Sequence, residues 1–125
     1  MALVLIVDDE PDTLLLLRLN LESAGYQTVL AADADTALER LRALPIDLVV
    51  LDIMMPVWDG WTVMEALRDA MSSPPAVIVS ARAGPGDLDR AARMGAAGTL
   101  LIPFTPAELY RVVATALIPP AAVRS

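Results

Sequence analysis

The chain has 125 residues, a length that suits one domain, and 56% of them are hydrophobic, which is enough to build a large core. Cysteine and histidine are both absent, so disulfides and thiol chemistry are excluded, the commonest general base is missing, and a bound metal would need oxygen ligands. The net charge of −7 makes the chain a poor ligand for the phosphate backbone of nucleic acids.

Apolar runs of strand length alternate five times with segments of helical pattern. Strands are predicted at residues 2–7, 27–31, 48–51, 76–79 and 99–102, and helices at residues 11–24, 33–43, 60–70, 87–94 and 105–117. The first run, ALVLIV, and the last, TLLI, are both predicted to be buried strands. Strict alternation requires right-handed crossovers, so we predict an α/β fold of the flavodoxin-like, doubly wound type. Its five parallel strands should lie in the order 2-1-3-4-5.

Several helix ends carry recognisable capping signals. Pro11 lies near the first turn of the first helix, and Asp33 is placed to cap the second. Gly25 and Gly95 are expected to end the first and fourth helices. The segment TPAE, which starts at Thr105, predicts a capping box with proline at the first helical position.

Polar side chains follow three of the predicted strands at their carboxyl ends. Asp8 and Asp9 come directly after the first strand, and Asp52 comes directly after the third. Ser80 ends the fourth strand, whereas the fifth ends in the apolar Ile102. Because the carboxyl ends of parallel strands meet in one crevice, the three aspartates should converge. Packed like charges are unfavourable unless a cation lies among them, and a hard divalent ion such as Mg²⁺ suits these oxygen ligands.

These residues also allow other interpretations. Asp9, Glu10 and Asp12 can serve only to favour the positive amino end of the first helix, and Asp52 can cap a turn. Nucleotide-binding functions are disfavoured because GxxxxGK[ST] and GxGxxG motifs are absent. A serine hydrolase is disfavoured because Ser80 has no histidine to act as its base.

Four segments occur together in a characteristic order and spacing: LIVDDEPD, VVLDIMMPVWDG, VIVSAR and IPF. Through them the chain resembles the receiver domain of bacterial two-component response regulators. The resemblance covers residues 1–118, and residues 119–125 are interpreted as a tail or a truncated linker. It implies the CheY-like, (βα)5 form of the flavodoxin-like fold.

The resemblance also implies roles for individual residues. Asp52 matches the aspartate that accepts a phosphoryl group from a phosphohistidine on a sensor histidine kinase or a phosphotransfer protein. Asp8 and Asp9 match the acidic pair that binds Mg²⁺ or Mn²⁺. Asp52 itself and the backbone carbonyl of Met54 match the remaining protein ligands of the ion. Ser80 matches the hydroxyl that hydrogen-bonds the phosphoryl oxygens.

Two positions depart from the family pattern. Ile102 stands where the family has a lysine that contacts the phosphoryl group, and Thr99 stands where it has an aromatic switch residue. Arg82 is the nearest cation that could contact the phosphoryl group instead, although a solvated surface charge is the more usual role for such a residue. The peptide bond between Ile102 and Pro103 is expected to be cis, as in the proteins that the chain resembles.

The resemblance implies a phospho-acceptor domain whose signal coupling is altered by these two departures. It would not be a conventional enzyme, and at most it would phosphorylate and dephosphorylate itself. The alternative is a pseudo-receiver, a protein-binding module that acts independently of phosphorylation. A third hypothesis, a small Mg²⁺-dependent phosphatase, has no substrate-pocket residues to support it.

The expected partners are the kinase or phosphotransfer protein and either a downstream protein or a fused output domain. Direct contact with nucleic acid or with a membrane is not expected. The sequence shows no apolar run of bilayer length and no signal peptide, so a cytoplasmic location is expected.

Overall fold

The computed structural model describes residues 2–53, 60–70, 73–80 and 84–118. Its strands are β1 (Leu3–Val7), β2 (Gln27–Ala31), β3 (Leu48–Leu51), β4 (Ala76–Ser80) and β5 (Gly98–Leu101). Its helices are α1 (Pro11–Ser23), α2 (Ala34–Ala43), α3 (Trp61–Asp69), α4 (Pro85–Arg93) and α5 (Pro106–Leu117). All strand pairs are parallel, and the order β2-β1-β3-β4-β5 confirms the predicted fold.

Helices cover both faces of this sheet. One apolar cluster joins alternate residues of β1, β3 and β4 to α2, α3 and α4. The other cluster joins the intervening residues of the same strands to α1 and α5. Every residue of β3 and β4 is buried, as expected for central strands of a doubly wound sheet.

The fifth strand differs from its prediction. It runs from Gly98 to Leu101, so Ile102 lies just beyond it, and only Leu100 among its residues is fully buried in the core. The reason is its position at the edge of the sheet, where it pairs with β4 alone. The next residue, Pro103, has no N–H to continue a ladder, and the bond that precedes it is cis, as expected.

The fourth helix starts two residues earlier than predicted. Pro85 is its first residue and Gly84 its N-cap, while Asp87 lies one turn inside and accepts a hydrogen bond from the Gly84 N–H at 3.0 Å. Asp87 therefore caps the helix from within its first turn. Proline is favoured at this start because its missing N–H would have had no partner there.

The other helix ends follow their capping signals to within one residue. The Asp33 carboxylate accepts a hydrogen bond from the Thr36 N–H at 2.7 Å. Thr105 and Glu108 form both hydrogen bonds of the predicted capping box, at 3.0 and 3.1 Å.

Gly25 and Gly95 follow α1 and α4 with φ angles of +97° and +93°, a conformation that glycine adopts without steric penalty.

Across the described ranges, no helix has both the length and the apolar character that a membrane-spanning helix requires.

Candidate functional site

Three carboxylates converge at the carboxyl edge of the sheet. One oxygen from each of Asp8, Asp9 and Asp52 lies within 4.8 Å of the others. The sheet places them there because β1 and β3 are neighbours, with Val7 opposite Leu51. The pairing continues one residue further, where the Asp52 N–H donates to the Val7 carbonyl at 3.0 Å. The predicted convergence of these residues is therefore present in the fold.

The three residues differ in exposure. Asp8 is only 2% exposed, Asp52 is partly buried and Asp9 is exposed. The backbone of Asp8 is fixed by a hydrogen bond from its N–H to the Ala31 carbonyl at 3.1 Å. Its carboxylate accepts a hydrogen bond from the Glu10 N–H at 2.9 Å. Asp8 thus forms the buried floor of the cluster, and Asp9 forms its solvent side.

Burial dominates the electrostatics of the cluster. Loss of solvent raises the pKa of Asp8 from 3.8 to about 7, against the opposing effect of the hydrogen bond from Glu10. The negative charges of Asp52 and Asp9 make smaller contributions to this same rise in the pKa of Asp8. A cation bound among the three carboxylates would favour their ionised forms. A ligand set made of carboxylate oxygens suits hard ions such as Mg²⁺ or Mn²⁺.

Ser80 reaches the same edge from the neighbouring strand. It is the last residue of β4, which pairs with β3, and it is 1% exposed. Its carbonyl accepts a hydrogen bond from the Ile102 N–H at 3.1 Å, so the backbone at Ile102 lies beside Ser80. The two predicted positions are therefore adjacent at the end of the sheet.

The two atypical positions have different surroundings. The Ile102 side chain is partly buried and packs against the apolar cluster beneath α1 and α5. Thr99 is exposed on β5, opposite Ile78 of β4. The residue at the lysine position therefore enlarges the core instead of adding a positive charge to the crevice.

Gly60 brings the start of α3 against the backbone of Asp52. The Gly60 N–H donates to the Ile53 carbonyl at 3.1 Å. A Cβ atom added at Gly60 would lie 2.5 Å from the Asp52 carbonyl oxygen and 2.7 Å from the Ile53 Cα. In the sequence, an Asp-Gly pair is typical of a turn, and such a pair does not signal a close contact with the preceding strand end.

Trp61 and Arg90 form a second contact that sequence reasoning missed. Trp61 is 5% exposed and belongs to the apolar cluster that packs beneath α2, α3 and α4. The Arg90 guanidinium carbon lies 4.1 Å from the centroid of the Trp61 ring, a cation–π arrangement. The two residues belong to different helices, α3 and α4, so no local sequence pattern could have paired them.

Two of the predicted site residues, Met54 and Arg82, lie outside the described residues. The predicted tail, residues 119–125, also lies outside them.

Curated relatives match most of this chain. It is 39% identical over 114 residues to the transcriptional activator protein IrlR of Burkholderia pseudomallei strain 1026b, covering 91% of this chain and 49% of that protein. It is 35% identical over 106 residues to the alkaline phosphatase synthesis transcriptional regulatory protein PhoP of Bacillus subtilis strain 168, covering 85% of this chain and 44% of that protein. The chain thus spans about half the length of the curated relatives it matches.

Solved structures show the same architecture. The chemotaxis protein CheY4 of Vibrio cholerae matches with a TM-score of 0.86 and 29% identity, covering 94% of this chain and 99% of that chain. NtrX of Brucella abortus matches with a TM-score of 0.87 and 32% identity, covering 94% of this chain and 27% of that chain. The sequence model of the response regulator receiver domain matches residues 4–114, which include all five strands apart from Leu3, the first residue of β1. The chain therefore belongs to the response regulator receiver domain family.

Proposed function

We propose that this chain is an Mg²⁺-dependent phospho-acceptor domain, in which Asp52 receives a phosphoryl group from a phosphohistidine. The donor would be a sensor histidine kinase or a phosphotransfer protein. The observation that carries this proposal is the convergence of Asp8, Asp9 and Asp52 within 4.8 Å at the carboxyl edge of the sheet. Such a cluster suits a hard divalent cation beside a nucleophilic carboxylate.

Asp52 would be the nucleophile. One of its carboxylate oxygens attacks phosphorus, the P–N bond to the donor imidazole breaks, and the new O–P bond forms the acyl phosphate. An ionised carboxylate needs no general base for this step, so the absence of histidine from the chain does not count against it. Asp52 is partly exposed, and a phospho-acceptor must be accessible to its donor protein.

The surrounding residues would hold the ion and orient the phosphoryl group. Asp8 and Asp9 would bind Mg²⁺ or Mn²⁺, with Asp52 and the backbone carbonyl of Met54 as further ligands. The bound ion would neutralise charge on the transferring phosphoryl group. The Ser80 hydroxyl, at the same edge, would donate a hydrogen bond to a phosphoryl oxygen.

Signal coupling would differ from that of relatives with lysine and an aromatic residue in β5. Ile102 cannot donate a charge-assisted hydrogen bond to the phosphoryl group, an interaction worth roughly 1.5–3 kcal/mol. Thr99 lacks an aromatic ring that could turn inward. A ligand shifts a two-state equilibrium only through its different affinity for the two states. Through these two positions, phosphorylation should therefore have little effect on the outer face formed by α4, β5 and α5, unless Arg82 replaces the missing contact.

The second candidate is a pseudo-receiver that binds proteins independently of phosphorylation. The observation that favours it is the packing of Ile102 against the apolar cluster, because this position then contributes to the fold and not to phosphoryl recognition.

Intact-mass measurement after incubation with acetyl phosphate and Mg²⁺ separates the two candidates. A gain of one phosphoryl group in the parent, absent from Asp52→Asn, would support the phospho-acceptor. No gain, together with failure of a cognate kinase to label Asp52, would support the pseudo-receiver instead.

The chain spans only about half the length of its curated relatives, so the steps that follow phosphorylation are also part of this proposal. The phosphorylation state would pass to a downstream protein or to a fused output domain, in the cytoplasm. The relative IrlR is named a transcriptional activator, and a fused DNA-binding output is one form that this step could take. The acidic domain itself would not contact nucleic acid.

A further inference from the structure

We propose that the Arg90–Trp61 contact transmits the state of the Asp52 site to α4, and that Arg90 is the residue that couples this helix to phosphorylation. The inference rests on the proposed function, because it requires a phosphoryl group at Asp52. It gives this chain a connection between the site and its surface that does not involve Ile102 or Thr99.

The connection begins with backbone contact at Gly60. The missing side chain lets α3 start directly against Asp52, where a Cβ atom would be only 2.5 Å from the carbonyl oxygen. Gly60 is also hydrogen-bonded to Ile53 through its N–H and to Met64 of α3 through its carbonyl. A backbone shift at Asp52 must therefore be followed by the first turn of α3, since no space separates them.

Trp61 extends this contact into the space beneath α4. It directly follows Gly60, is 5% exposed and belongs to the same apolar cluster as Ala91 of α4. Protein interiors are close-packed, so a buried indole that moves with α3 displaces its neighbours. Among those neighbours, Arg90 lies across the ring face.

The contact with the Trp61 ring sets the orientation of the Arg90 side chain. The guanidinium carbon lies 4.1 Å from the ring centroid, where the negative π face attracts a cation. Within the described part of the chain, Arg90 makes no ion pair with a carboxylate. Its position should therefore follow the position of Trp61.

Helix α4 is held weakly enough to respond. Ala91 is the only buried residue among residues 86–93, and Leu88 is half-buried. By contrast, α5 buries both Leu109 and Val113. A helix with few buried apolar contacts lies at the low end of local stability, so a small change at one contact can shift it.

The test measures amide chemical shifts of the whole chain before and after addition of Mg²⁺ and beryllofluoride, a phosphoryl mimic. In the parent, we expect shifts at Asp8, Asp9 and Asp52 together with shifts across residues 86–93. In Arg90→Gln at saturating concentrations of the mimic, the amides of Asp8, Asp9 and Asp52 should shift as in the parent, while the shifts in α4 fall by at least half. Arg90→Lys keeps the cation without the planar stacking and should retain part of the response.

Arg93→Gln is the matched control, because Arg93 is an exposed arginine of the same helix without a ring contact in the described structure. Its α4 response should equal that of the parent. If mimic binding at Asp52 is coupled to the position of α4, a change in that coupling must also alter the affinity of the protein for the mimic. This affinity should change about two- to fivefold in Arg90→Gln and should not change in Arg93→Gln. A residue that only stabilised α4 in both states would leave this affinity unchanged.

The outcomes separate the two proposals. A parent whose Asp8, Asp9 and Asp52 amides ignore the mimic would overturn the proposed function and this inference with it. Normal shifts at the site, with the same α4 response in the parent and in Arg90→Gln, would overturn only the inference.

Discussion

Asp8 combines nearly complete burial with two neighbouring carboxylates, and this combination makes the site sensitive to protons. The pKa of Asp8 is raised to about 7 chiefly by burial. A folded-state pKa above the unfolded value means that folding favours the protonated acid. This stabilising effect is complete below the unfolded pKa and is lost as the pH rises through the folded pKa. The contribution of Asp8 should therefore make the metal-free protein less stable as the pH rises from about 4 to about 7.

The first prediction is that Asp8→Asn stabilises the metal-free protein more at pH 8 than at pH 4.5. The neutral amide removes the buried charge, and we expect the difference between variant and parent to widen by roughly 1–3 kcal/mol. Urea unfolding in the presence of a chelator measures it. A difference that stays constant between the two pH values would contradict this account of Asp8.

The second prediction concerns Asp9, the exposed member of the cluster. Mg²⁺ that binds the folded state should stabilise the parent by about 1.4 kcal/mol at ten times its dissociation constant. Asp9→Ala should weaken binding and reduce this gain. Asp12→Ala is the control, because Asp12 lies in the first turn of α1 but not in the cluster, so it removes a nearby charge without removing a ligand.

Thermal unfolding over a series of Mg²⁺ concentrations tests this prediction. Equal losses of stabilisation in Asp9→Ala and Asp12→Ala would show that the ion responds only to the general negative charge of the loop.

Helix α3 depends on a single glycine for its approach to Asp52. The third prediction is that Gly60→Ala destabilises the protein by about 1–3 kcal/mol, because the added methyl group meets backbone atoms that cannot rotate away. Gly86→Ala is the matched control. Gly86 is a helical glycine, and a Cβ added there would meet no atom within 4 Å, so alanine should stabilise the protein by roughly 0.5–1 kcal/mol.

The two glycine variants should also differ at the site. Gly60→Ala should shift the amides of Asp52 and Ile53, whereas Gly86→Ala should leave them unchanged. Loss of stability in Gly60→Ala without any shift at these amides would mean that α3 moves independently of the site. Such a result would also weaken the proposed connection to α4.

Across the whole molecule, the carboxyl ends of β4 and β5 lie beside each other, and this geometry provides the fourth prediction. Ile102→Lys should restore part of the response of residues 99–110 to Mg²⁺ and beryllofluoride. The lysine stem can cover the apolar surface that isoleucine now covers, while its ammonium reaches the crevice beside Ser80. The recovery should be incomplete because Thr99 still provides no aromatic ring.

Leu101→Lys is the control for this variant. It places a lysine on the preceding residue, whose side chain is 49% exposed on β5. The pairing with β4 continues through the hydrogen bond from the Ile102 N–H to the Ser80 carbonyl, so residues 101 and 102 should point to opposite faces and this lysine should not reach the crevice. An equal response of residues 99–110 in the parent and in both variants would argue against any role for position 102 in coupling.

The element order and the acidic cluster could be predicted because both depend on local and repetitive signals. Five alternations of apolar runs and helical segments leave few parallel arrangements, and aspartates that follow neighbouring strands must meet at one edge of the sheet. Capping signals placed α2 and α5 correctly because their hydrogen bonds close within a few residues. The resemblance to receiver domains then assigned roles to Asp52 and its neighbours, and those roles remain proposals.

Tertiary structure alone decided the exposure of β5, the close contact of Gly60 with Asp52 and the pairing of Arg90 with Trp61. The apolar run at the fifth strand looks the same whether the strand is central or at an edge, because its partners lie elsewhere in the chain. The contact between α3 and α4 joins residues with unrelated sequence signals, and only the packing of both helices on one face of the sheet brings them together. Periodicity reports which face of an element is buried, whereas contacts between elements depend on the arrangement of the whole sheet.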